Sequence, residues 1–214
     1  MDTLTPQQVE TEQLSDWRML FNALHARFRT GDFATGLRLV DAIGQAAEEM
    51  NHHPDLELTY GALAVRLTSH DAGGVTGRDV RLARTISELA ATEQAVADPA
   101  STQVLELALD TEDAEAIKPF WRAVLAMSDS ASDDELVDPM GRLPTLWFQQ
   151  TTAHETPRQR FHLDVRVPPE EAEARVAAAL EAGGTLVGDD RAPRFWVLAD
   201  AQGNRACVTT WQDR

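Results

Sequence analysis

Three histidines carry the clearest chemical signal in this sequence. His52 and His53 are adjacent in the run Glu48-Glu49-Met50-Asn51-His52-His53-Pro54, and His70 lies at the end of the next predicted strand. Imidazole titrates near pH 6.5, so three such rings together can hold one as an acid and another as a base at neutral pH. The pattern therefore suits proton transfer with little tuning of the pKa values of these groups.

Two other interpretations of these histidines are open at this point. In the first, His52 ends a helix, His53 is a partly buried loop residue and His70 belongs to a turn. In the second, all three bind a metal ion, which is disfavoured because neighbouring side chains on an extended chain point to opposite sides. Spacing alone does not separate these possibilities from proton transfer.

The first half of the chain predicts strands and helices that would hold these residues in place. Residues 19–29 and 63–67 alternate between apolar and polar side chains, as half-buried strands do, and the second of these runs leads into His70. Thr5 followed by Pro6 predicts a first helix, and Thr76 predicts the start of a third.

A second helix is predicted to begin after Asp32 and to end near Asn51, because Pro54 disfavours helical geometry just before it. Apolar and small residues recur along it at spacings of three or four. We expect these residues to face the core: Phe33, Leu37, Val40, Gly44 and Ala47. The third helix has a comparable face in Leu82, Ala83, Ile86, Leu89 and Ala90.

The segments EEMNHHPDLELTY and RLTSHDAGGVTGRDVRLA resemble the signature of the pterin-4a-carbinolamine dehydratases. The resemblance covers residues 15–95, and several fixed offsets agree without a gap. The matching positions are His52, His53, Tyr60, Thr68-Ser69-His70-Asp71, Gly73-Gly74 and Arg78-Asp79-Val80. It implies an antiparallel four-stranded sheet with helices on one face, and assembly into a homodimer or homotetramer.

The resemblance also implies a reaction, the dehydration of a 4a-hydroxytetrahydropterin to the quinonoid dihydropterin, with no metal or redox cofactor. This reaction needs a proton delivered to the departing hydroxyl and another removed from a ring nitrogen. By position, His52, His53 and His70 are the implied active-site histidines. We expect His53 and His70 to act as acid and base, and His52 to position the pterin.

Two carboxylates fall at acidic positions of the same family, Glu48 and Asp79. Either could orient an imidazole or accept a hydrogen from the pterin amino group, and either could instead belong to the scaffold. Asp79 follows Thr76 by three residues and could close a capping box. Leu56 and Glu57 depart from the Trp-Phe pair of animal members, so we expect one aromatic pocket wall to be absent.

The second half of the chain predicts a β-α-β-β-β unit that occurs twice. Residues 103–212 resemble a glyoxalase-type, vicinal oxygen chelate domain, especially in LPTLWFQQ, RFHLDVRV and WVLADAQGNRACVTTW. The metal positions of that family fall near Gln103, Gln149, His162 and Cys207. Divalent ions in such sites favour histidine with carboxylates, so we expect a metal-free binding or structural domain.

Charge and cysteine content exclude several classes of function. Thirty-five acidic and 19 basic residues leave a net charge of −16, which repels nucleic acids and anionic membranes. The single cysteine, Cys207, cannot form an internal disulfide, and no apolar run reaches the length of a membrane span. We therefore expect a cytoplasmic protein that binds a small molecule.

These observations predict an α+β chain of two domains, with a dehydratase-like domain at residues 1–97 and a glyoxalase-like domain at residues 102–214. The segment Ala97-Asp98-Pro99-Ala100-Ser101 between them has the composition of a linker. Two functional alternatives are open. The first domain could serve a non-catalytic dimerisation, ligand-sensing or regulatory role, and the second could have its own lyase or dioxygenase activity.

Overall fold

A computed structural model describes residues 2–125, 127–130, 132–152, 161–181, 183–199 and 205–212. The chain divides into two compact units, Met1–Thr102 and Gln103–Arg214. Both combine helices with sheets, so the α+β class predicted from the sequence is confirmed. Within the described ranges, no helix is long and apolar enough to cross a membrane.

The first unit contains α1 (Pro6–Thr11), β1 (Arg18–Leu20), β2 (Ala23–Arg29), α2 (Phe33–Met50), β3 (Asp55–Thr59), β4 (Ala62–Leu67), α3 (Gly77–Thr92) and β5 (Val96–Ala97). Its strands form an antiparallel sheet of order β1-β2-β4-β3, and the short β5 also pairs with β2. Helices α2 and α3 contact each other and the sheet. The expected four-stranded sheet is therefore present, with one additional two-residue strand.

One predicted strand is in fact a hairpin. Residues 19–29 divide into β1 and β2 around a turn at Phe21 and Asn22, with Phe21 at a φ of 54° and Leu20 paired with Ala23. The prediction of a single strand was wrong because a two-residue turn preserves the period of two in the sequence. Leu24 and Phe28 still face the core, where Phe28 meets Trp17 edge to face with 6.3 Å between ring centroids.

Helix α2 begins and ends where the sequence predicts, but a different face is buried. Asp32 Oδ1 accepts a hydrogen bond from the Thr35 amide at 2.7 Å, and Asn51 ends the helix in the left-handed conformation. Phe33 and Leu37 are 48% and 54% exposed. The residues of α2 that are buried are Gly36, Leu39, Ile43 and Ala47.

The predicted core stripe of α2 was therefore wrong at Phe33, Leu37 and Gly44, whereas Ala47 is buried and Val40 is partly buried against the core. Spacings of three and four residues describe two adjacent apolar faces on this helix, and periodicity cannot say which of them packs against the sheet. The face that is buried meets the core of Leu24, Phe28, Leu63 and Ile86. The other face leaves Phe33 and Leu37 in solvent.

The segment that resembles a linker is structured within the first unit. Ala97 pairs with Phe28, and Pro99–Ser101 form a 3-10 helix. The Arg27 guanidinium donates to Asp98 Oδ2 at 3.0 Å, and the Asp98 amide donates to the Arg27 carbonyl at 2.7 Å. The compact first unit accordingly runs to Thr102.

The second unit contains β6 (Val104–Thr111), α4 (Ala114–Leu125), β7 (Ser128–Asp129), β8 (Glu135–Val137), β9 (Thr145–Gln150), β10 (Phe161–Arg166), α5 (Pro169–Glu181), β11 (Thr185–Gly188), β12 (Phe195–Ala199) and β13 (Arg205–Thr209). These elements form two β-α-β-β-β modules in one sheet of order β11-β12-β13-β10-β6-β9-β8-β7. The central strands β6 and β10 pair antiparallel, while β6 pairs parallel with β9 and β10 parallel with β13. This arrangement confirms the paired module.

Candidate active site

The end of α2 sends the adjacent histidines into different surroundings. Asn51 has φ 45° and ψ 45°, and the His52 amide donates to the Ala47 carbonyl at 3.0 Å, as in a left-handed helix cap. The chain then turns toward β3. The His52 side chain is 7% exposed, whereas that of His53 is 55% exposed.

His52 lies against a fully buried carboxylate. Its Nε2 atom is 2.7 Å from Asp79 Oδ1, and the Asp79 side chain is 0% exposed. Asp79 is the third residue of α3, where it completes a capping box with Thr76. The two interpretations of Asp79 left open by the sequence are therefore compatible, because one oxygen faces the imidazole while the other caps the helix.

The second oxygen of Asp79 is surrounded by donors. Oδ2 lies 2.7 Å from the Ser69 hydroxyl, 2.7 Å from the Thr76 amide and 3.2 Å from the Thr76 hydroxyl. Ser69 and Thr76 are themselves buried and their hydroxyls are 2.9 Å apart. An ionised carboxylate only accepts hydrogen bonds. In that form Asp79 accepts from His52 Nε2–H, which leaves Nδ1 as the unprotonated nitrogen of the neutral ring.

His53 forms a separate and more open pair. Its Nε2 atom is 3.2 Å from Glu48 Oε1, and the Glu48 side chain is 80% exposed. Glu48 belongs to the last turn of α2, so its carboxylate orients the His53 imidazole from the end of that helix. Both groups are accessible to a ligand that approaches from solvent.

His70 is exposed and lies in a tight turn between β4 and α3. Ser69 and Gly74 close this turn through two backbone hydrogen bonds of 3.0 and 3.4 Å, and Gly73 has a φ of 71°. Asp71 pairs with the Arg78 guanidinium, which lowers the pKa of that carboxyl. The turn that carries His70 is thus tied to the first turn of α3.

The site residues predicted from the sequence therefore form two hydrogen-bonded pairs and one exposed imidazole. His52 pairs with Asp79, and His53 pairs with Glu48. Among the residues described, no hydrogen bond joins the His70 side chain to either pair. The contact of Ser69 with Asp79 could not be predicted from the sequence. The only available signal was its position next to His70 in the family motif.

Leu56 and Glu57, which occupy the positions of the Trp-Phe pair of animal members, lie on opposite faces of β3. Leu56 packs against the apolar core, while Glu57 is exposed. Alternation along a strand requires this, since adjacent side chains point to opposite sides. At most one of the two positions can therefore face a pocket beside the histidines.

In the second unit, two of the four positions at which the resemblance places metal ligands, Gln103 and Gln149, carry neutral amides, which are weak ligands for a divalent ion. Gln103 Oε1 accepts a hydrogen bond from Arg175 at 3.0 Å, and the backbone of Cys207 is paired with that of Asp164 in the sheet. The backbone of His162 pairs with Ala108, but its side chain lies outside the described part of the structure. No group of three or more histidine, cysteine or acidic side chains with metal-site geometry occurs among the described residues.

Comparison with known families follows the same division of the chain. Residues 2–89 match the family model described as pterin 4 alpha carbinolamine dehydratase, and residues 106–209 match a glyoxalase-like domain. A protein of Aquifex aeolicus named "Putative pterin-4-alpha-carbinolamine dehydratase" is 41% identical over 80 residues, which are 37% of this chain and 81% of the relative. A protein of the same name from Picosynechococcus is 37% identical over 87 residues, which are 41% of this chain and 95% of the relative.

Among solved structures, a transcriptional coactivator/pterin dehydratase from Brucella melitensis is 26% identical to this chain, with a TM-score of 0.40. The match covers 42% of this chain and 99% of the Brucella chain. A glyoxalase/bleomycin resistance protein/dioxygenase superfamily member from Vibrio splendidus is 13% identical to this chain, with a TM-score of 0.35. The match covers 51% of this chain and 99% of the Vibrio chain.

Fold and sequence together define a two-unit α+β protein with a glyoxalase-like second unit. Through its first unit, the chain belongs to the pterin-4-alpha-carbinolamine dehydratase family.

Proposed function

We propose that the first unit dehydrates a 4a-hydroxytetrahydropterin to the quinonoid dihydropterin, acting as a hydro-lyase. The observation that carries this proposal is the buried His52–Asp79 pair, combined with two accessible imidazoles, His53 and His70, at the family's positions. A dehydration needs groups that exchange protons with the substrate and a scaffold that keeps them oriented. This arrangement supplies both.

The proposed chemistry breaks the bond between the pterin C4a carbon and its hydroxyl oxygen. One imidazole, in its protonated form, gives a proton to that oxygen, which leaves as water. A second, neutral imidazole removes the proton from the ring nitrogen, and the electron pair left behind forms the new C=N bond. We assign these two steps to His53 and His70, because both are exposed enough to exchange protons with solvent between turnovers.

His52 has a positioning role in this proposal. Its Nε2 atom is committed to Asp79, and both side chains are buried. Asp79 has hydrogen-bond partners on both oxygens, which favours orientation of His52 over direct binding of the pterin amino group. Glu48 differs, since it is exposed and has a second oxygen that can accept a hydrogen bond from the amino group.

The reaction consists of two proton transfers and the loss of water, with no net oxidation or reduction, so no metal or redox cofactor enters the proposal. Its test is stopped-flow measurement of 4a-hydroxytetrahydropterin dehydration by the full chain. We expect His53→Ala and His70→Ala each to lower the rate by about 10²–10⁴. Glu48→Ala should weaken substrate binding, while the adjacent exposed Glu49→Ala serves as its matched control and should leave the rate unchanged.

A wild-type protein that gives no acceleration over the spontaneous reaction would contradict the function. It would favour the alternative role as a non-catalytic dimerisation, ligand-sensing or regulatory protein. If the wild type is active but His70→Ala keeps its full rate, the function would stand and the assignment of His70 would be wrong.

We infer that the chain self-associates as a homodimer or homotetramer. The apolar face of α2 that the core leaves uncovered, with Phe33 and Leu37 about half exposed, supports this inference. Contiguous apolar patches on a protein surface mark sites of association. The net charge of −16 argues against nucleic acids and anionic membranes as partners, and the single cysteine fits a cytoplasmic protein.

For the second unit we propose a metal-free binding or structural role. The neutral amides of Gln103 and Gln149 are weak ligands for a divalent ion, and Gln103 is already held by Arg175. Metal analysis of the purified chain tests this, since a stoichiometric transition metal would contradict it and favour an independent lyase or dioxygenase activity. We also expect Cys207→Ser to leave dehydratase turnover unchanged.

A further inference from the structure

The carboxylate of Asp79 holds two parts of the candidate site at once. Its Oδ1 atom faces His52 Nε2 at 2.7 Å, and its Oδ2 atom faces the Ser69 hydroxyl at the same distance. Ser69 is 1% exposed and immediately precedes His70 in the chain. A single buried carboxylate therefore connects the imidazole at the end of α2 to the turn that carries another imidazole.

Ser69 is anchored in both its backbone and its side chain. Its amide and carbonyl pair with Gly74 to close the turn, and its hydroxyl reaches Asp79 and the Thr76 hydroxyl. The hydroxyl thus fixes the start of the turn relative to the first turn of α3. His70 is the next residue, so its backbone position depends on this anchor.

The hydroxyl also acts on the His52 imidazole through Asp79. A hydrogen bond donated to a carboxylate stabilises its ionised, acceptor-only form. The ionised form keeps the His52 proton on Nε2 and leaves Nδ1 as the accepting nitrogen. Without the serine donor, Oδ2 of Asp79 retains only the Thr76 donors. The carboxylate can then rotate, and its negative charge can be distributed differently between its two oxygens.

We propose that Ser69 is a positioning residue of the dehydratase site, which sets the tautomer of His52 through Asp79 and the placement of His70 through the turn. This inference rests on the proposed function. Ser69 does not contact the substrate in this proposal. Substitution of Ser69 should therefore change kcat and the tautomer of the His52 ring, with little effect on KM.

The test compares Ser69→Ala and Ser69→Cys with the wild-type full chain in two measurements. The first is stopped-flow dehydration kinetics, and the second is the ¹⁵N NMR signature of the His52 ring, which distinguishes Nε2–H from Nδ1–H. Ser69→Cys preserves the approximate size with a weaker donor. We expect kcat to fall by about tenfold or more in Ser69→Ala and by less in Ser69→Cys, with KM within about twofold.

Ser87→Ala is the matched control. Ser87 lies on α3 like Asp79, and its hydroxyl accepts a hydrogen bond from Trp17 Nε1 at 3.1 Å. The substitution removes a partly buried serine hydrogen bond from the same unit and leaves the hydrogen bonds of Asp79 unchanged. We expect Ser87→Ala to lower stability while keeping kcat and the His52 tautomer as in the wild type.

The outcomes separate this inference from the proposed function. If the wild type is active and folded Ser69→Ala keeps both its kcat and its His52 tautomer, the positioning role is wrong while the function stands. A loss of kcat that Ser87→Ala reproduces would likewise overturn it, because general destabilisation would then be the cause. If the wild type is inactive, the function fails, and the His52 tautomer in Ser69→Ala still decides the structural part of the inference.

Discussion

The His52 imidazole and the Asp79 carboxylate meet at 2.7 Å inside the first unit, although 27 residues separate them in the chain. The end of α2 supplies one partner and the start of α3 supplies the other. Burial of both groups makes their hydrogen bond stronger than it would be in water and makes the loss of either partner costly. Both the stability and the proposed activity of the first unit should therefore depend on this pair.

Replacing Asp79 with asparagine should impair both activity and stability. The amide nitrogen of asparagine donates hydrogen bonds, so it conflicts either with His52 Nε2–H or with the donors Ser69 and Thr76. We expect a destabilisation of about 1–3 kcal/mol and a loss of turnover of about 10² or more. Asp32→Asn is the control, because asparagine is as good an N-cap as aspartate, and it should change stability by less than about 0.5 kcal/mol. Urea unfolding and stopped-flow kinetics on both variants provide the comparison.

Alanine at His52 and at His70 should separate structural from chemical contributions. His52→Ala leaves Asp79 Oδ1 buried without its partner and should destabilise the protein by about 1–3 kcal/mol. His70 is exposed in a turn, so His70→Ala should remain within about 0.5 kcal/mol of the wild type. Calorimetric unfolding of the two variants measures this difference. Equal destabilisation by both would mean that the interior pair contributes no more to stability than an exposed turn residue.

His25 should produce a pH dependence of stability unrelated to the proposed reaction. It lies on β2 between Arg18 and Arg66, and burial lowers its pKa to about 4, with Arg66 adding to the effect and Asp55 opposing it. The unfolded chain, with a histidine pKa near 6.5, binds more protons than the folded chain between pH 6.5 and 4. This contribution to stability is therefore complete above pH 6.5 and is lost as the pH falls toward 4, on the order of 3 kcal/mol in total.

Chemical denaturation at several pH values would measure the contribution of His25 to the free energy of unfolding. His25→Gln should flatten the stability curve between pH 6.5 and 4 relative to the wild type. An NMR titration of His25 with a midpoint near 6.5 would contradict the prediction directly.

Two glycines of α2 should respond differently to alanine. A Cβ at Gly44 meets nothing within 4 Å, so Gly44→Ala should stabilise the protein by roughly 0.5–1 kcal/mol through helix propensity. A Cβ at Gly36 meets Leu58 Cδ1 at 2.4 Å, which forces that side chain to move. We expect Gly36→Ala to be less stable than Gly44→Ala by about 1 kcal/mol. Equal stabilisation by both would show that α2 does not pack closely against β3 at Gly36.

The exposed face of α2 should control self-association. Leu37→Glu places a charge in the centre of this apolar face and should lower the mass measured by sedimentation equilibrium relative to the wild type. Gln45→Glu adds the same charge to an exposed position of the same helix outside that face and should leave the mass unchanged. A monomeric wild type, or an unchanged mass for Leu37→Glu, would argue against association through α2.

The agreement between sequence and structure is closest where short-range patterns decide the outcome. The caps at Asp32 and Thr76, the end of α2 at Asn51 and the paired modules of the second unit all follow from local residue chemistry and element order. The disagreements arise where a pattern has two equivalent solutions. A hairpin keeps the period of a strand at Phe21-Asn22, and α2 has two apolar faces of which only one is buried.

The histidine motif, the reaction class it suggests and the division into two kinds of domain were all determined by the order of residues in the chain. Tertiary structure decided that His52 faces the interior and His53 the solvent, and that Asp79 is shared between His52 and Ser69. The physical reason is distance along the chain. Hydrogen bonds between α2, the turn after β4 and α3 form only when the core brings these elements together, and no local pattern encodes which buried donors a carboxylate will meet.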